Sequence, residues 1–485
     1  MPKNVKLIDV TLRDAHQCLW ATRMTTAMMK DTVPLLDRAG FEAIDLIGGA
    51  VFDVCVRFLN EDPWERMRIV SSWVRDTPLI IHNRGQSLFT FECFPDDIIE
   101  LAVERFWANG MRYHTTYDAL NDIRNLEVAV KASRKIGLHT VAGLVYSHSP
   151  VHTDEYYVGK ANELIALGVD GLFLKDPSGL LTPERVATLV PALKAACGGM
   201  QLQLHSHCLS GLGPYVALQA VEHGVDVVHT ATSTLANGAS HPPTELFTQN
   251  CRRRGYEVDI DLTPITEVAD MLAYIAERED KPVGQPNEYD EFHFHHQVAG
   301  GMISNLKAQL ETVGMADRID EILEEAGRVR ADLGYPIIVS PFAQYIMTQS
   351  VFNVMNDNRY EVVPDEVRRY VLGGYGQIPG SIDQNLYDRI TGGAEVTTER
   401  PGLHLKPAIK EIRRKRGPFS TDDDLLLAAF YNPTEYDSLK AAGPINTDYP
   451  IASTPLLTLV KELALRPELR SFHYVRKEKP AQSSS

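Results

Sequence analysis

Two histidines one residue apart are the first side chains in this sequence that could hold a metal ion. They are His205 and His207, in the stretch LQLHSHCLSG at residues 202–211. The pair ends an alternating apolar run, and its spacing puts both imidazoles on the same side of a β-strand. Packing histidines also occur in such pairs. The chemistry therefore depends on whether other elements supply further ligands.

Charged side chains end several other apolar segments. Arg13 and Asp14 end the first, Arg84 the third and Lys175 the sixth, while Asp53 follows the second. If these segments are barrel strands, their carboxyl ends meet at one mouth. Two imidazoles and a carboxylate suit a divalent transition metal that keeps coordination positions open for substrate.

The elements that must position these groups recur regularly along the chain. Eight apolar segments of strand length alternate with amphipathic helical segments, at residues 5–12, 42–48, 78–84, 111–118, 139–147, 170–176, 201–207 and 225–233. This alternation predicts an α/β fold, a (β/α)₈ TIM barrel, rather than an open doubly wound sheet, which usually has fewer strands.

Length and composition indicate the domain organisation, the cellular compartment and the kind of partner. The chain has 485 residues, of which 44% are hydrophobic, and beyond about residue 300 its pattern is mainly helical. We expect a barrel domain over 1–300, a helical domain over 301–470 and a disordered tail over 471–485. Six scattered cysteines and an N-terminus without a leader pattern favour the cytoplasm. A net charge of −16 disfavours nucleic acid as a partner.

Lys175 is the unusual member of this set, because an ammonium group has no lone pair for a metal. Carbamylation by carbon dioxide would turn it into an anionic oxygen donor. The alternative is an ion pair with Asp14 or Asp176. The residues alone leave both interpretations open.

The sequence also resembles a known family. The motifs TLRDAHQCLWATRM, GGAVFDVCVRFLNEDPWERMR, NRGQS, LKDPSGLL, LHSHCLSG, HPPTE and AGGMISNL occur in order between about residues 5 and 470. They are similar to those of the biotin-dependent carboxyltransferases that act on 2-oxo acids. This family includes the carboxyltransferase domain of pyruvate carboxylase, the α subunit of oxaloacetate decarboxylase and the 5S subunit of transcarboxylase.

The resemblance implies a role for each site residue. The metal, zinc first and cobalt or manganese as alternatives, would be bound by Asp14, His205, His207 and a carbamylated Lys175. The substrate carboxylate and keto oxygen would be held by Arg13, Gln17 and Arg84, since a guanidinium matches a carboxylate through paired hydrogen bonds. Asp53 would support the metal site or take part in the reaction, and Cys208 stands where the family commonly has aspartate beside the histidine pair.

Ser340, in IIVSPFAQ, aligns with a family threonine whose hydroxyl relays a proton between the substrate carbon and N1 of biotin. The same serine could instead be the N-cap of a helix, with Pro341 at the first helical position. Both roles are compatible.

The implied reaction is metal-dependent and biotin-dependent carboxyl transfer to or from a pyruvate or oxaloacetate type of acid, through an enolate. The helical region would form a funnel over the barrel mouth. No biotinylation sequence or ATP-binding biotin carboxylase module is recognised. We therefore expect biotin on a separate carrier protein, a biotin carboxylase subunit as a further partner, and at least a homodimer.

The substrate pocket departs from the family pattern. His82 and Asn83 replace two apolar residues before Arg84, and HTTYD replaces Phe-Arg-Val-Phe-Asp. Because His82 shares its side of the strand with Arg84, it would meet the bound acid and favour a more polar 2-oxo acid. Two other classes stay open. One is a biotin-free, metal-dependent carbon–carbon lyase, aldolase or decarboxylase, and the other is a non-catalytic scaffold that docks a biotin carrier.

Overall fold

The structure is a computed structural model that describes residues 3–298, 306, 310, 311 and 315–449. The described residues up to Thr447 form one compact unit. The boundary expected near residue 300 stays a prediction. The tail expected over 471–485, and part of the helical domain expected over 301–470, lie outside the described residues.

Eight parallel strands close into a barrel, as the sequence pattern predicts. Each strand pairs with its neighbours in chain order, and the last pairs back with the first. The strands are β1 (Lys6–Asp9), β2 (Ala43–Ile47), β3 (Leu79–Asn83), β4 (Tyr113–Tyr117), β5 (His139–Val145), β6 (Gly171–Asp176), β7 (Gln201–Ser206) and β8 (Val227–Thr230).

Helices cover the outside of this barrel. Most strand residues are buried, and in β2, β3 and β4 all of them are, because a parallel sheet surrounded by helices is covered on both faces. The α-helices of this region are His16–Leu19, Thr26–Met29, Val33–Asp37, Gly49–Val54, Pro63–Ser71, Asp96–Ala108, Glu127–Ile136, Asp154–Leu167, Pro183–Cys197, Gly213–His223, Thr244–Arg253 and Leu262–Arg278.

Shorter helical turns complete the loops. Two have π geometry, Thr11–Ala15 directly after β1 and Cys55–Leu59, and the 3₁₀ turns are Gly85–Ser87, Ile123–Leu126, Ser233–Leu235, Ala316–Arg318 and Pro401–His404. Because π turns are frequent at functional sites, the turn that follows β1 indicates a functional site at the barrel mouth.

The rest of the described chain is helical, as expected. Its helices are Glu291–His296, Ile319–Asp332, Phe342–Met355, Asp365–Val371, Gln384–Thr391, Ile409–Arg416, Asp422–Phe430 and Pro433–Ala442. Helices Ile319–Asp332 and Phe342–Met355 share an apolar core with Leu120, from the loop that follows β4. This core joins part of the helical region to the barrel. Among the described residues, no helix is long and apolar enough to span a membrane.

One aromatic ring fills the barrel interior beneath its mouth. Phe173 of β6 stacks on His229 of β8 at 6.2 Å between ring centroids and lies edge-on to His82 of β3 at 5.8 Å. The ring fits because β5 carries Gly143 beside it. A Cβ atom at that position would lie 2.4 Å from Cζ of Phe173.

Gly143→Ala should therefore destabilise the barrel. The added methyl group must displace a ring packed on three sides, and such overpacking costs about 1–3 kcal/mol of unfolding free energy. Urea unfolding followed by circular dichroism measures the change. Gly159→Ala is the matched control, since a Cβ there meets nothing within 4 Å and alanine favours the helix. Equal stability of both variants would contradict the packing argument.

Candidate metal centre and substrate site

Three histidines surround one carboxylate oxygen at the carboxyl ends of the strands. Oδ2 of Asp14 lies 2.9 Å from Nε2 of His205, 3.2 Å from Nε2 of His207 and 2.9 Å from Nε2 of His241. All four side chains are buried. Four donor atoms of this type, converging on one point, are the ligand chemistry of a transition metal such as zinc.

Backbone geometry brings these four residues together. Asp14 lies in the π turn after β1, and His205 is the penultimate residue of β7. His207 follows β7 directly, and His241 lies in the loop after β8. The loop after β8 is tied to the loop after β7, because the Cys208 amide donates to the Ser240 carbonyl at 2.8 Å. The side chain of Cys208 is buried, and its backbone amide makes the bond that holds the two loops together.

The second ring nitrogen distinguishes the three histidines. Nδ1 of His207 contacts the carbonyl of Ala239 at 2.7 Å, and Nδ1 of His205 contacts Nδ1 of His229 at 2.9 Å. Nδ1 of His241 is buried without a partner. Metal-binding histidines usually donate from the nitrogen that does not face the metal, which fixes the tautomer. His205 and His207 have such a partner and His241 does not.

Lys175 points into the same cluster. Its Nζ lies 3.0 Å from Nε2 of His205, and burial lowers the pKa of its amine to about 8. The ion-pair alternative is not observed, since Lys175 forms no ion pair with any described carboxylate. Asp176 instead accepts hydrogen bonds from Leu180, Leu181 and Ser206.

Arg13 bridges two buried carboxylates. It contacts Oδ1 of Asp14 and Oδ2 of Asp45, both at 2.7 Å. Burial alone would raise the pKa of Asp14, but Arg13 and His207 outweigh it and hold that pKa well below its usual range. Gly48 permits the arrangement, because a Cβ there would lie 2.8 Å from Cδ of Arg13.

Arg84 lies beyond β3 with its charge uncompensated by any described carboxylate. Its guanidinium donates to the carbonyls of Phe89 and Thr90 at 2.9 Å and stacks on the ring of Phe91, 4.9 Å from the centroid. A Cβ on Gly49 would lie 2.7 Å from NH1 of Arg84. The two glycines of the GGAVFD motif thus make room for the two arginines.

Gln17 is half-buried on the short helix after Asp14, and its side chain has no hydrogen-bond partner among the described residues. Asp53 is not brought to the metal cluster, contrary to expectation. Its helix turns its carboxylate outward, where it pairs with Arg57 one turn later at 2.7 Å. Asp45, which binds Arg13, is the supporting carboxylate instead.

A cavity joins the Arg84 region to the segment that carries Ser340. Arg84, Phe91, Asp118, Pro341 and Phe342 line it. The N-cap interpretation of Ser340 is wrong: the helix begins at Phe342 with Pro341 as its cap, and the Ser340 hydroxyl accepts instead from Nε2 of Gln344 at 3.0 Å.

His82 lies inside the barrel. Its Nδ1 is bonded to the hydroxyl of Thr115, its opposite residue on β4, while its Nε2 is buried without a partner. Burial, reinforced by Arg13 and Lys175, holds the pKa of His82 well below its usual range, so the ring is neutral.

Three residues of the site are absent from the set predicted from sequence: His241, Asp45 and His229. His241 opens the HPPTE motif in the loop after β8, well beyond the end of that strand at Thr230, so the motif and not the strand end is the usable signal. Asp45 and His229 lie inside strands whose apolar neighbours hide them. Their inward direction follows from the barrel register, which the sequence alone does not fix.

The fold and cluster define a TIM-barrel enzyme with a metal-binding mouth. A family model described as a conserved carboxylase domain matches residues 294–457, and one described as HMGL-like matches residues 109–272. A pyruvate carboxylase subunit of Methanocaldococcus jannaschii is 39% identical over 88% of this chain and 76% of its own length. The methylmalonyl-CoA carboxyltransferase 5S subunit of Propionibacterium freudenreichii is 35% identical over 89% of this chain and 86% of its own.

Solved structures similar to this fold come from the same kind of protein as these relatives. The carboxyl transferase domain of Rhizobium etli pyruvate carboxylase with pyruvate superimposes with a TM-score of 0.84 at 26% identity, covering 91% of this chain and 77% of that one. The same domain with oxamate and biotin gives 0.84 over 91% and 78%. The chain belongs to the family of biotin-dependent carboxyltransferases that act on 2-oxo acids.

The cluster predicts that the purified protein binds about one divalent transition metal per chain. Elemental analysis measures the content. Replacing His205 and His207 together with alanine should abolish it, because two donors whose orientation is fixed are lost. His404→Ala, at an exposed position, is the control and should bind as the wild type does. A metal-free wild type, or full occupancy in the double variant, would refute the assignment.

Proposed function

We propose that this chain transfers a carboxyl group between biotin on a carrier protein and the carbon next to the ketone of a 2-oxo acid of the pyruvate or oxaloacetate type. The observation that carries the proposal is the buried cluster of Asp14, His205 and His207, with Lys175 3.0 Å from His205 and Arg13 on Asp14. Two relatives of this chain support the proposal, since one is named as a pyruvate carboxylase subunit and the other as a carboxyltransferase subunit.

Asp14, His205, His207 and a carbamylated Lys175 would hold the metal, with zinc as the favoured ion and cobalt or manganese as alternatives. Burial supports carbamylation, since it lowers the pKa of the Lys175 amine to about 8 and so enriches the neutral amine that reacts with carbon dioxide. The bound ion would act as a Lewis acid toward the keto oxygen of the substrate. We assign His241 to a hydrogen bond with Asp14, because its Nδ1 lacks the partner that would fix it as a ligand.

The substrate would be held by Arg84, Gln17 and Arg13. Arg84 is the best placed of the three to bind the carboxylate, because its charge faces no described carboxylate. Gln17 has a free amide for the keto oxygen or carboxylate. Most N–H donors of the Arg13 guanidinium are already bonded to Asp14 and Asp45. Its main contribution is therefore to keep Asp14 ionised and oriented.

Ser340 would relay the proton. Its hydroxyl accepts from Gln344, which leaves its own proton available, and its neighbour Pro341 lines the cavity shared with Arg84. The hydroxyl would carry a proton between the reacting carbon of the acid and N1 of biotin. The direction of net transfer follows from the supply of acid and of carboxylated biotin.

The partners follow from the same proposal. Biotin would come from a biotin carboxyl carrier protein, loaded by a biotin carboxylase subunit. Two relatives are themselves named as subunits, which supports an enzyme built from several chains. A homodimer stays a prediction.

The HMGL-like match over residues 109–272 favours a second candidate, a biotin-free carbon–carbon lyase or decarboxylase. Such an enzyme would use the cluster without the Ser340 relay. The match to a carboxylase domain over residues 294–457 supports the first candidate, because this region contributes Pro341 and Phe342 to the cavity beside Arg84. A scaffold without catalysis would leave the buried cluster unexplained.

Ser340→Ala should slow carboxyl transfer about 100-fold or more, since it removes a proton relay, while metal content stays unchanged. Transfer of labelled carboxylate from oxaloacetate to free biotin, and pyruvate proton exchange with tritiated water, measure the effect. Ser340→Thr keeps the hydroxyl and should keep the activity. An undiminished Ser340→Ala rate would remove the relay from the mechanism. Decarboxylation of oxaloacetate at the same rate with and without biotin would favour the lyase.

His82 bears on which acid is preferred. Its buried Nε2 lacks a partner, and His82 itself stands where the family pattern has an apolar residue. A buried polar atom left unpaired costs about 1–3 kcal/mol, so an acid whose polar group meets it gains that much in discrimination. A relative that is 35% identical is named the 2-oxoglutarate carboxylase large subunit of Hydrogenobacter thermophilus.

We therefore expect a more polar acid such as 2-oxoglutarate to compete with pyruvate, and His82→Leu to shift the ratio of their kcat/KM values about tenfold toward pyruvate. Steady-state kinetics with both acids measure the ratio. Asn83→Leu is the control, because it removes the next buried polar side chain from the opposite side of β3. An unchanged ratio in His82→Leu would show that His82 does not meet the substrate.

A further inference from the structure

A chain of buried hydrogen bonds runs from the floor of the barrel to the metal cluster. The hydroxyl of Tyr113 accepts from the side-chain amide nitrogen of Gln203, and the amide oxygen of Gln203 lies 3.2 Å from Nε2 of His229. Nδ1 of His229 in turn lies 2.9 Å from Nδ1 of His205. All four side chains are buried, so water does not compete for these bonds.

One end of the chain fixes the direction of the bonds. The Gln203 amide nitrogen donates to Tyr113, so the amide oxygen is the atom that faces His229. An amide oxygen can only accept a hydrogen bond. His229 must then carry its proton on Nε2 to donate to that oxygen. Its Nδ1 is left with a lone pair, which accepts the proton on Nδ1 of His205.

The other end gives the same direction independently. In the uncarbamylated, metal-free state Nζ of Lys175 lies 3.0 Å from Nε2 of His205, and an ammonium group there can only donate. Nε2 of His205 must therefore hold a lone pair, and its proton must be on Nδ1. A lone pair and a carboxylate oxygen of Asp14 then face one another at 2.9 Å, an arrangement that a cation between them would stabilise.

We propose that His229 is a positioning residue that holds His205 as the Nδ1–H tautomer, with its Nε2 lone pair directed at the metal. The inference rests on the proposed metal-dependent function and extends it to residues outside the cluster. Gln203 sets the proton position on His229, and His229 transmits it to His205. The stacked ring of Phe173, 6.2 Å from His229, keeps the imidazole in the plane that this bond requires.

The metal-affinity test compares three variants of the full chain. His229→Leu removes the acceptor and should weaken Co²⁺ binding about 10- to 100-fold, as loss of such a partner does elsewhere. His229→Asn places a side-chain oxygen near the lost Nδ1 and should restore most of the affinity. Competition with a chromophoric chelator gives the dissociation constants without reference to activity.

His114→Leu is the matched control. His114 is also a fully buried strand histidine, bonded through Nδ1 to Ser133 at 2.6 Å, but it takes no part in the cluster. It should leave Co²⁺ affinity unchanged. Wild-type affinity in a folded His229→Leu variant, or equal weakening in His114→Leu, would overturn the proposal.

A second measurement tests the tautomer in the metal-free wild type, so it does not depend on any variant folding. Long-range ¹H–¹⁵N correlation on histidine-labelled protein should show His205 protonated on Nδ1 and His229 on Nε2. The opposite tautomer of His205 would overturn the proposal. A wild type that shows the expected tautomers but binds no Co²⁺ would instead refute the proposed metal-dependent function, which separates the two failures.

Discussion

The buried carboxylate of Asp14 is the interaction on which the rest of the site depends. Three imidazoles and one guanidinium converge on it, from β7, from the loops after β7 and β8, and from its own π turn. Taking this charge out of water is costly, and removing one partner of a buried ion pair typically costs about 3–5 kcal/mol. Arg13, itself anchored by Asp45, keeps Asp14 ionised and therefore able to bind a cation.

A polar barrel interior follows from that requirement. Most barrel cores are filled by apolar side chains, whereas here Tyr113, Gln203 and His229 form a hydrogen-bonded column under the metal cluster. The column is tolerable because nearly every polar atom in it has a partner. Outside the column, Nε2 of His82 is buried without a partner, and unsatisfied buried groups in native proteins call for a functional explanation.

Close packing sets how near the charged groups can approach. Gly48 and Gly49 let Arg13 and Arg84 reach the same turn after β2, and Gly143 admits Phe173 to the barrel interior. Each glycine is needed for the space that it leaves. The charged mouth above and the aromatic ring below are thus both placed by positions that have no side chain.

The barrel could be predicted from the sequence, because strand-length apolar segments and intervening helices follow local periodicity. Asp14, His205, His207, Arg84 and Lys175 could be predicted as candidates too, because residues at strand ends must converge once a parallel barrel closes. Which neighbours they meet could be learned only from the folded structure. Asp45 rather than Asp53 supports Arg13, and Lys175 approaches His205 rather than an aspartate. His241 and His229 join the site only through contacts between strands far apart in the chain, and such contacts leave no local pattern to read.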